Sequence, residues 1–272
     1  MNRYNMHRDM IVMVAKALGE ELLSHVAFVG GCTTGLLITD ELTKEAIRYT
    51  DDVDLIINVV GYTGWHKFSE QLVGRGFYIS MDDEVNCRFR LGQLKVDFMP
   101  DDADALGFTN RWYKAALQNP QLYPITEGIN IQLVSPVYFL ATKFEAFKGR
   151  GNNDLLSSRD IEDILNLVDG RIELGAEIAQ APDDVRDYLV SEFNNFLNSP
   201  DARYAVQSTA NGDVAREKII FKRIEYIVQL GLNQLEVRSR FRPSASRLDA
   251  VVKDGEEFLA NTKEDGLDGI SE

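Results

Sequence analysis

The chain has 272 residues and a mass of 30.7 kDa; 44% of its residues are hydrophobic and 10% are aromatic. This composition is sufficient for a packed core and excludes a chain that is mostly disordered. The 29 basic residues are outnumbered by 43 acidic ones, so the formal charge is −14. That charge excludes a protein that coats nucleic acid through bulk positive charge.

Membrane proteins and disulfide-rich proteins are not favoured either. The apolar runs are only a few residues long, so neither a membrane span nor a secretory signal is predicted. Cys32 and Cys87 lie far apart and the chain has just three histidines, which provides neither a disulfide framework nor a zinc site. We therefore expect a cytoplasmic protein that does not contact a membrane.

The first part of the chain predicts helices and strands in alternation. Apolar residues at helical spacing between Met10 and Leu22 predict a helix, and the run at 26–29 predicts a short buried strand. Gly30 and Gly31 follow this strand, and further small residues come after them. This pattern is typical of a tight turn into a helix. The backbone N–H groups of such a turn, at the positive end of a helix dipole, suit a triphosphate.

Strand and helix patterns continue up to residue 134. Gly92 and Gln93 predict a hairpin between two consecutive strand-like runs. An irregular stretch rich in Asp, Asn and Pro is expected between residues 101 and 124. The predicted elements are a strand at 52–59, a helix at about 65–73, and strands at 77–81, 85–91, 94–99 and 129–134.

The remainder of the chain is predicted to be helical. Ser135 as N-cap and Pro136 at the first helical position begin a helix that runs to Gly149. Further helices are predicted from Ser157 or Ser158 to Gly170, at 183–197 and at 214–230. We therefore predict an α+β chain with a mixed-sheet α/β domain at 1–134, a helical region at 135–252 and a flexible acidic tail at 253–272.

Three aspartates form the candidate site. Asp52 and Asp54 are two residues apart on one predicted strand, so both side chains lie on the same face. Asp97 occupies the same alternation on a later strand, and the three carboxylates converge if the two strands are neighbours. Such a cluster suits Mg²⁺ and two-metal phosphoryl or nucleotidyl transfer. The alternative interpretation of an acidic pair at a strand end is a solvated edge without function.

Together these motifs resemble the nucleotidyltransferase fold of the DNA polymerase β superfamily. Its signature is a hydrophobic residue before two glycines and, after a spacer, an Asp-h-Asp-h strand in which h is hydrophobic. Here the two parts are Val29-Gly30-Gly31 and Asp52-Val53-Asp54-Leu55. The combination is far more specific than either part alone.

Within that superfamily the chain is most similar to the AbiEii/AbiGii toxin family of minimal nucleotidyltransferases. Arg48-Tyr49-Thr50-Asp51 precedes the acidic pair, as in that family's Arg-x-Thr-x-Asp-h-Asp-Leu motif. The family's helical Lys is matched by Lys143, and its Arg-Asp-x-x-Asp segment by Arg159-Asp160-Ile161-Glu162-Asp163. The resemblance covers residues 20–170 approximately.

The resemblance implies a polymerase β-like enzyme that uses an NTP and Mg²⁺, or Mn²⁺ in its place. Asp52, Asp54 and Asp97 would be both the metal ligands and the catalytic residues. The implied nucleotide-binding residues are Gly30, Gly31, Thr33, Thr34, Lys143 and Asp160. Cys32 stands where the family usually has a hydroxyl residue, so a hydroxyl near the phosphates would come from Thr33 or Thr34.

The resemblance also implies an acceptor, namely a tRNA 3′ end in a toxin–antitoxin or phage-defence system with an antitoxin protein as partner. Segment 216–247 offers some support, because it holds eight basic residues against three acidic ones. A solvated helix face explains such charges equally well. The acidic chain could instead modify an aminoglycoside-like small molecule or a protein hydroxyl, or act as a non-catalytic nucleotide-binding module.

Overall fold

The acid-bearing strands lie inside a six-stranded sheet. The computed structural model describes residues 2–150 and 153–241, with side chains placed up to residue 231. Its strands are β1 (Val26–Val29), β2 (Asp52–Ile57), β3 (Arg88–Leu91), β4 (Leu94–Pro100), β5 (Pro120–Thr126) and β6 (Ile129–Val134). They pair in the order β3-β4-β2-β1-β6-β5.

The sheet is mixed. Strands β2 and β4 are parallel, as are β1 and β6, whereas the other three neighbouring pairs are antiparallel. This pairing confirms the prediction of an α+β chain with a mixed sheet. The more specific assignment to a nucleotidyltransferase fold stays a prediction.

Twelve helices occur in the described part of the chain. They are α1 (Arg3–Leu23), α2 (Thr34–Leu37), α3 (Glu41–Ala46), α4 (Gly61–Gly74), α5 (Ala103–Leu106), α6 (Tyr113–Gln118), α7 (Pro136–Arg150), α8 (Arg159–Gly170), α9 (Leu174–Gln180), α10 (Asp183–Leu197), α11 (Ala202–Thr209) and α12 (Val214–Phe241). Helix α7 packs against α8, α9 and α10. None of these helices is both long and apolar enough to cross a membrane.

The alternation of side chains along β2 and β4 separates the core from the acidic face. Val53 and Leu55 of β2 are fully buried, and Asp52 and Asp54 point the opposite way. On β4, the ring of Phe98 lies on the core face among three other phenylalanines, with centroid distances of 5.5 to 5.7 Å. Each such edge-to-face pair contributes about 0.5–1.5 kcal/mol. Burial of these side chains therefore fixes Asp97 on the other face.

One predicted strand is not formed, and one observed strand was not predicted. Residues 77–81 form only an isolated bridge from Tyr78 to Arg90, because Ile79 and Met81 remain exposed and find no partner strand. Conversely, β5 occupies part of the stretch predicted to be irregular. Its prolines at 120 and 124 obscured it, yet β5 is an edge strand, where a missing N–H donor is tolerated.

The described helices extend beyond those predicted. Helices α3, α5, α6, α9 and α11 were not predicted, and α5 and α6 lie in the stretch predicted to be irregular. Helix α12 continues to Phe241 instead of ending near residue 230. Residues 1–229 form one compact unit, and the predicted boundary at 134/135 falls inside it. A second unit begins at Leu230 and is described only up to Phe241. The predicted acidic tail and residues 242–247 of the basic segment lie outside the described residues.

Candidate metal centre and adjoining cavity

The three predicted aspartates meet at one place on the sheet. Because β2 and β4 are parallel neighbours in register, Asp54 lies directly beside Asp97. One carboxylate oxygen from each of Asp52, Asp54 and Asp97 lies within 4.8 Å of the other two. Asp97 is buried and the other two side chains are half-buried. The predicted convergence is therefore present, and the cluster could hold a metal ion.

Ionising all three carboxylates costs free energy, because their negative charges lie close together and repel. Burial, and then the charges of Asp52 and Asp97, raise the pKa of Asp54 to about 8. At neutral pH the cluster therefore retains a proton that a cation would displace. An all-oxygen donor set of this kind fits a hard divalent cation.

Arg88 partners the triad from the neighbouring strand. It lies opposite Asp97 in the β3–β4 hairpin, and its Nε and Nη2 atoms donate to the two carboxylate oxygens of Asp97 at 2.7 Å each. Its Nη2 is also 3.7 Å from an oxygen of Asp52. A metal ion at the cluster therefore has to share Asp97 with a guanidinium group.

Asp52 is oriented by a chain of hydrogen bonds from helix α1. The Thr50 hydroxyl donates to an oxygen of Asp52, and the Thr50 backbone N–H donates to Nε2 of His7 at 3.2 Å. His7 is buried, and burial together with the nearby charge of Arg48 lowers its pKa. A neutral His7 is required here, because only an unprotonated Nε2 can accept this bond.

Lys143 and two aspartates link α7 to α8. The Lys143 ammonium lies 2.7 Å from an oxygen of Asp163 and 3.1 Å from one of Asp160. Arg48 closes the network with two hydrogen bonds of 2.9 Å to Asp163. Burial favours neutral Lys143, but Asp163 and Asp160 more than offset this, so the pKa of Lys143 is raised. Lys143 thus stays charged, with both aspartates as its partners.

The triad, Lys143, Asp160 and Arg48 line the same cavity, which has a volume of about 540 Å³. The sheet contributes the three aspartates and Arg88, and α7 and α8 contribute three of the other four cations. Its charged lining in the described chain is Asp52, Asp54, Asp97, Asp154, Asp160, Arg48, Arg88, Lys143, Arg150 and Arg159. A cavity that combines a carboxylate cluster with five basic side chains suits a metal-bound polyphosphate.

The two glycines lie behind the cavity wall. Gly30 has a φ of 80°, and a Cβ on it would lie 1.8 Å from an oxygen of Asp54. A Cβ on Gly31 would lie 2.1 Å from Nη2 of Arg48. The glycines are therefore needed so that Asp54 and Arg48 can pack onto the backbone.

The turn residues do not reach the cavity surface in this structure. Gly30, Gly31, Thr33 and Thr34 are buried, and none of them is among the described residues that line the cavity. The Thr33 hydroxyl donates to the Gly30 carbonyl at 2.8 Å, and the Thr34 hydroxyl is buried without a partner among the described residues. Contact between these four residues and a nucleotide stays a prediction.

Three residues of the site were not predicted from the sequence. Arg88 could have been found by counting back from the two-residue turn, which places it opposite Asp97. Arg150 lies two helical turns after Lys143 and donates to both oxygens of Asp160 at 3.1 Å. No local pattern pointed to His7, because its contact with Thr50 depends on how α1 packs.

Two arginines in the described part of the basic segment make contacts within the fold. Arg216 is paired with Asp169 and donates to the Thr43 hydroxyl at 2.8 Å. Arg223 donates to the backbone carbonyl of Val168 at 2.8 Å. These two arginines stabilise the end of α8, and the other basic residues of the segment up to residue 231, Lys218 and Lys222, are exposed.

Comparisons with known proteins add no identification. No protein-family model matches the sequence, and no curated protein is detectably similar to it. The resemblance to the AbiEii/AbiGii family rests on the motifs and stays a prediction.

Proposed function

We propose that the chain is a metal-dependent nucleotidyltransferase that transfers a nucleoside monophosphate from an NTP to an acceptor hydroxyl. One observation carries this proposal: three converging carboxylates share a cavity with five basic side chains. This arrangement provides a divalent-cation site next to groups that bind phosphate oxygens.

The three aspartates would hold Mg²⁺, or Mn²⁺ in its place. When bound, the cation supplies positive charge that activates the acceptor hydroxyl and offsets charge on the phosphates. The acceptor oxygen forms a bond to the α-phosphorus. The bond between that phosphorus and the oxygen that bridges it to the β-phosphorus breaks, and pyrophosphate leaves. Asp97 is proposed either as a metal ligand or as the acceptor of the hydroxyl proton.

The cations of the helical wall have different roles in this proposal. Arg150 and Arg159 are exposed on the cavity wall and can turn towards phosphate oxygens. Lys143 is only 7% exposed and already binds Asp160 and Asp163, so it can contact a phosphate only by sharing them. Asp160, in turn, orients both Lys143 and Arg150.

For the acceptor, we propose a tRNA 3′ end, as in toxins of the resembling family, with an antitoxin protein as partner. This part of the proposal rests on the motifs and on the exposed lysines of segment 216–247. A small-molecule or protein hydroxyl is the alternative, since the chain carries a net charge of −14.

The test incubates the full-length chain with Mg²⁺, each α-labelled NTP in turn, and total cellular RNA, a protein extract or a set of amino-sugars. Asp52→Ala/Asp54→Ala removes two triad carboxylates, and Asp51→Ala/Asp82→Ala is the control that removes the same number of aspartates outside the cavity. We expect label in a tRNA-sized band with wild type and control only. No transfer to any acceptor despite NTP binding contradicts the enzyme and favours a nucleotide-binding module.

A further inference from the structure

A second cavity adjoins the first and shares Ser157 and Ser158 with its lining. Its volume is about 430 Å³, in the range of small-molecule sites. We call it the Asn166 pocket and define it by the apolar residues Leu155, Leu156, Ile161 and Leu165 and the polar residues Glu162 and Asn166. None of these six residues has a role in the proposed transfer.

Asn166 lines this pocket and carries an unsatisfied buried donor. The residue is only 5% exposed, and its Nδ2 has no hydrogen-bond partner among the described residues. Buried amide groups almost always have a partner, because an unpaired buried donor loses its bonds to water and gains nothing in return. Such a group at the wall of a cavity points to a ligand that supplies the missing acceptor.

Glu162 places an acceptor next to this donor. It lies one helical turn before Asn166 on α8, so the two side chains are neighbours on the same face. Glu162 is exposed and Asn166 is buried, which places the carboxylate towards the mouth of the pocket. The pair therefore offers one donor and one acceptor side by side in the lining of the pocket.

We propose that the Asn166 pocket binds a nucleobase, a step that rests on the proposed nucleotidyl transfer. Every nucleobase has flat apolar faces and an edge on which a hydrogen-bond acceptor lies beside a donor. One face of the base would pack on Leu156, the exposed apolar side chain of the pocket, Asn166 would donate to the base, and Glu162 would accept from it. Ser157 and Ser158 line both cavities, so the two cavities lie side by side.

The base can belong to the incoming NTP or to the terminal nucleotide of the acceptor. The first experiment uses probes without phosphate: free nucleosides, with ribose as the control, titrated into the full-length chain. Asn166→Leu removes the donor and keeps the side-chain volume, and Glu162→Gln changes an exposed residue that should not affect folding. Asn194→Leu, an exposed asparagine on α10 outside both cavities, is the matched control.

We expect nucleosides, but not ribose, to bind wild type and Asn194→Leu. Asn166→Leu should weaken this binding about 5- to 10-fold, as loss of one neutral hydrogen bond predicts. Glu162→Gln should change the order of preference among the four nucleosides. Equal nucleoside binding by all four proteins, or binding of ribose as well as nucleosides, would overturn the proposal.

A second titration identifies the source of the base. If the pocket serves the incoming nucleotide, Asn166→Leu weakens binding of an NTP with Mg²⁺; if it serves the acceptor, the variant weakens binding of a short oligoribonucleotide only. If Asn166→Leu weakens neither the binding of the NTP nor that of the oligoribonucleotide, the proposal is contradicted. Asp52→Ala/Asp54→Ala should still bind free nucleosides, so failure to observe nucleotidyl transfer would leave this result intact and remove only the enzymatic function.

Discussion

Asp54 is the residue at which metal binding and protonation compete. Its pKa of about 8 means that a cation at the triad displaces a proton at neutral pH. We expect affinity for Mg²⁺ to rise with pH up to about 8, by at most about tenfold per pH unit, and to level off above it. Calorimetry in two buffers of different ionisation enthalpy measures the released proton. Binding that releases no proton at pH 7 contradicts this assignment.

The same residue lowers stability when no divalent cation is bound. Its folded pKa of about 8 exceeds the ordinary value of 3.8, so stability is lost as pH rises from about 4 to about 8. Asp54→Asn should therefore raise the free energy of unfolding by about 1–3 kcal/mol at pH 9 in EDTA, and by much less at pH 5. Thermal unfolding at the two pH values measures this. A gain that is equal at both would exclude carboxylate repulsion as its cause.

Arg88 pairs with Asp97 and therefore competes with a metal ion for this carboxylate. We expect Arg88→Gln to lower stability in EDTA by about 1–3 kcal/mol, because Asp97 loses two charge-assisted hydrogen bonds. The same variant should bind Mg²⁺ several-fold more tightly, since a competing positive charge is removed. Unfolding curves with and without Mg²⁺ measure both effects. Weaker binding by the variant would show that Arg88 holds the triad in its metal-binding geometry.

At the scale of elements, the Lys143 network fastens α7 to α8. Lys143→Met leaves Asp160 and Asp163 buried with fewer partners, so we expect a loss of about 2–4 kcal/mol in urea unfolding at pH 7. Lys148→Met on the same helix removes two ion pairs, to Glu145 and Glu192, whose lysine is 40% exposed, and should cost less than about 1 kcal/mol. Adding Asp163→Asn to Lys143→Met should recover part of the loss. Similar losses for the two lysine variants would contradict the network's role.

Elements with strong local signals were predictable from the sequence. Ser158 caps α8 by accepting from the Ile161 N–H, and Pro136 begins α7, both at the predicted positions. The two-residue turn fixes the register of β3 and β4. Strand β5 was missed because its prolines are normal only at a sheet edge, and the sequence does not show which strand is at the edge.

At the scale of the whole molecule, pairing between distant strands could not be read from local patterns. The alternation of Asp52 and Asp54 predicted a shared face, but their meeting with Asp97 required β4 to lie beside β2. The burial of the glycine turn was equally hidden, since it depends on Asp54 and Arg48 packing onto it. The sequence therefore predicted the types of residue in the site better than their contacts.

The bidentate pair between Arg48 and Asp163 has a consequence for how the chain folds. The two residues are 115 positions apart, so the pair closes a loop that contains β2, β4 and α7. Closing so long a loop lowers the entropy of the chain before the contacts that stabilise the closed loop have formed. A nascent chain can bring the three acids together once residue 97 has been synthesised, whereas the cationic wall has to wait for α8. Cation binding during refolding would thus report on the pairing of β2 with β4, separately from completion of the cavity.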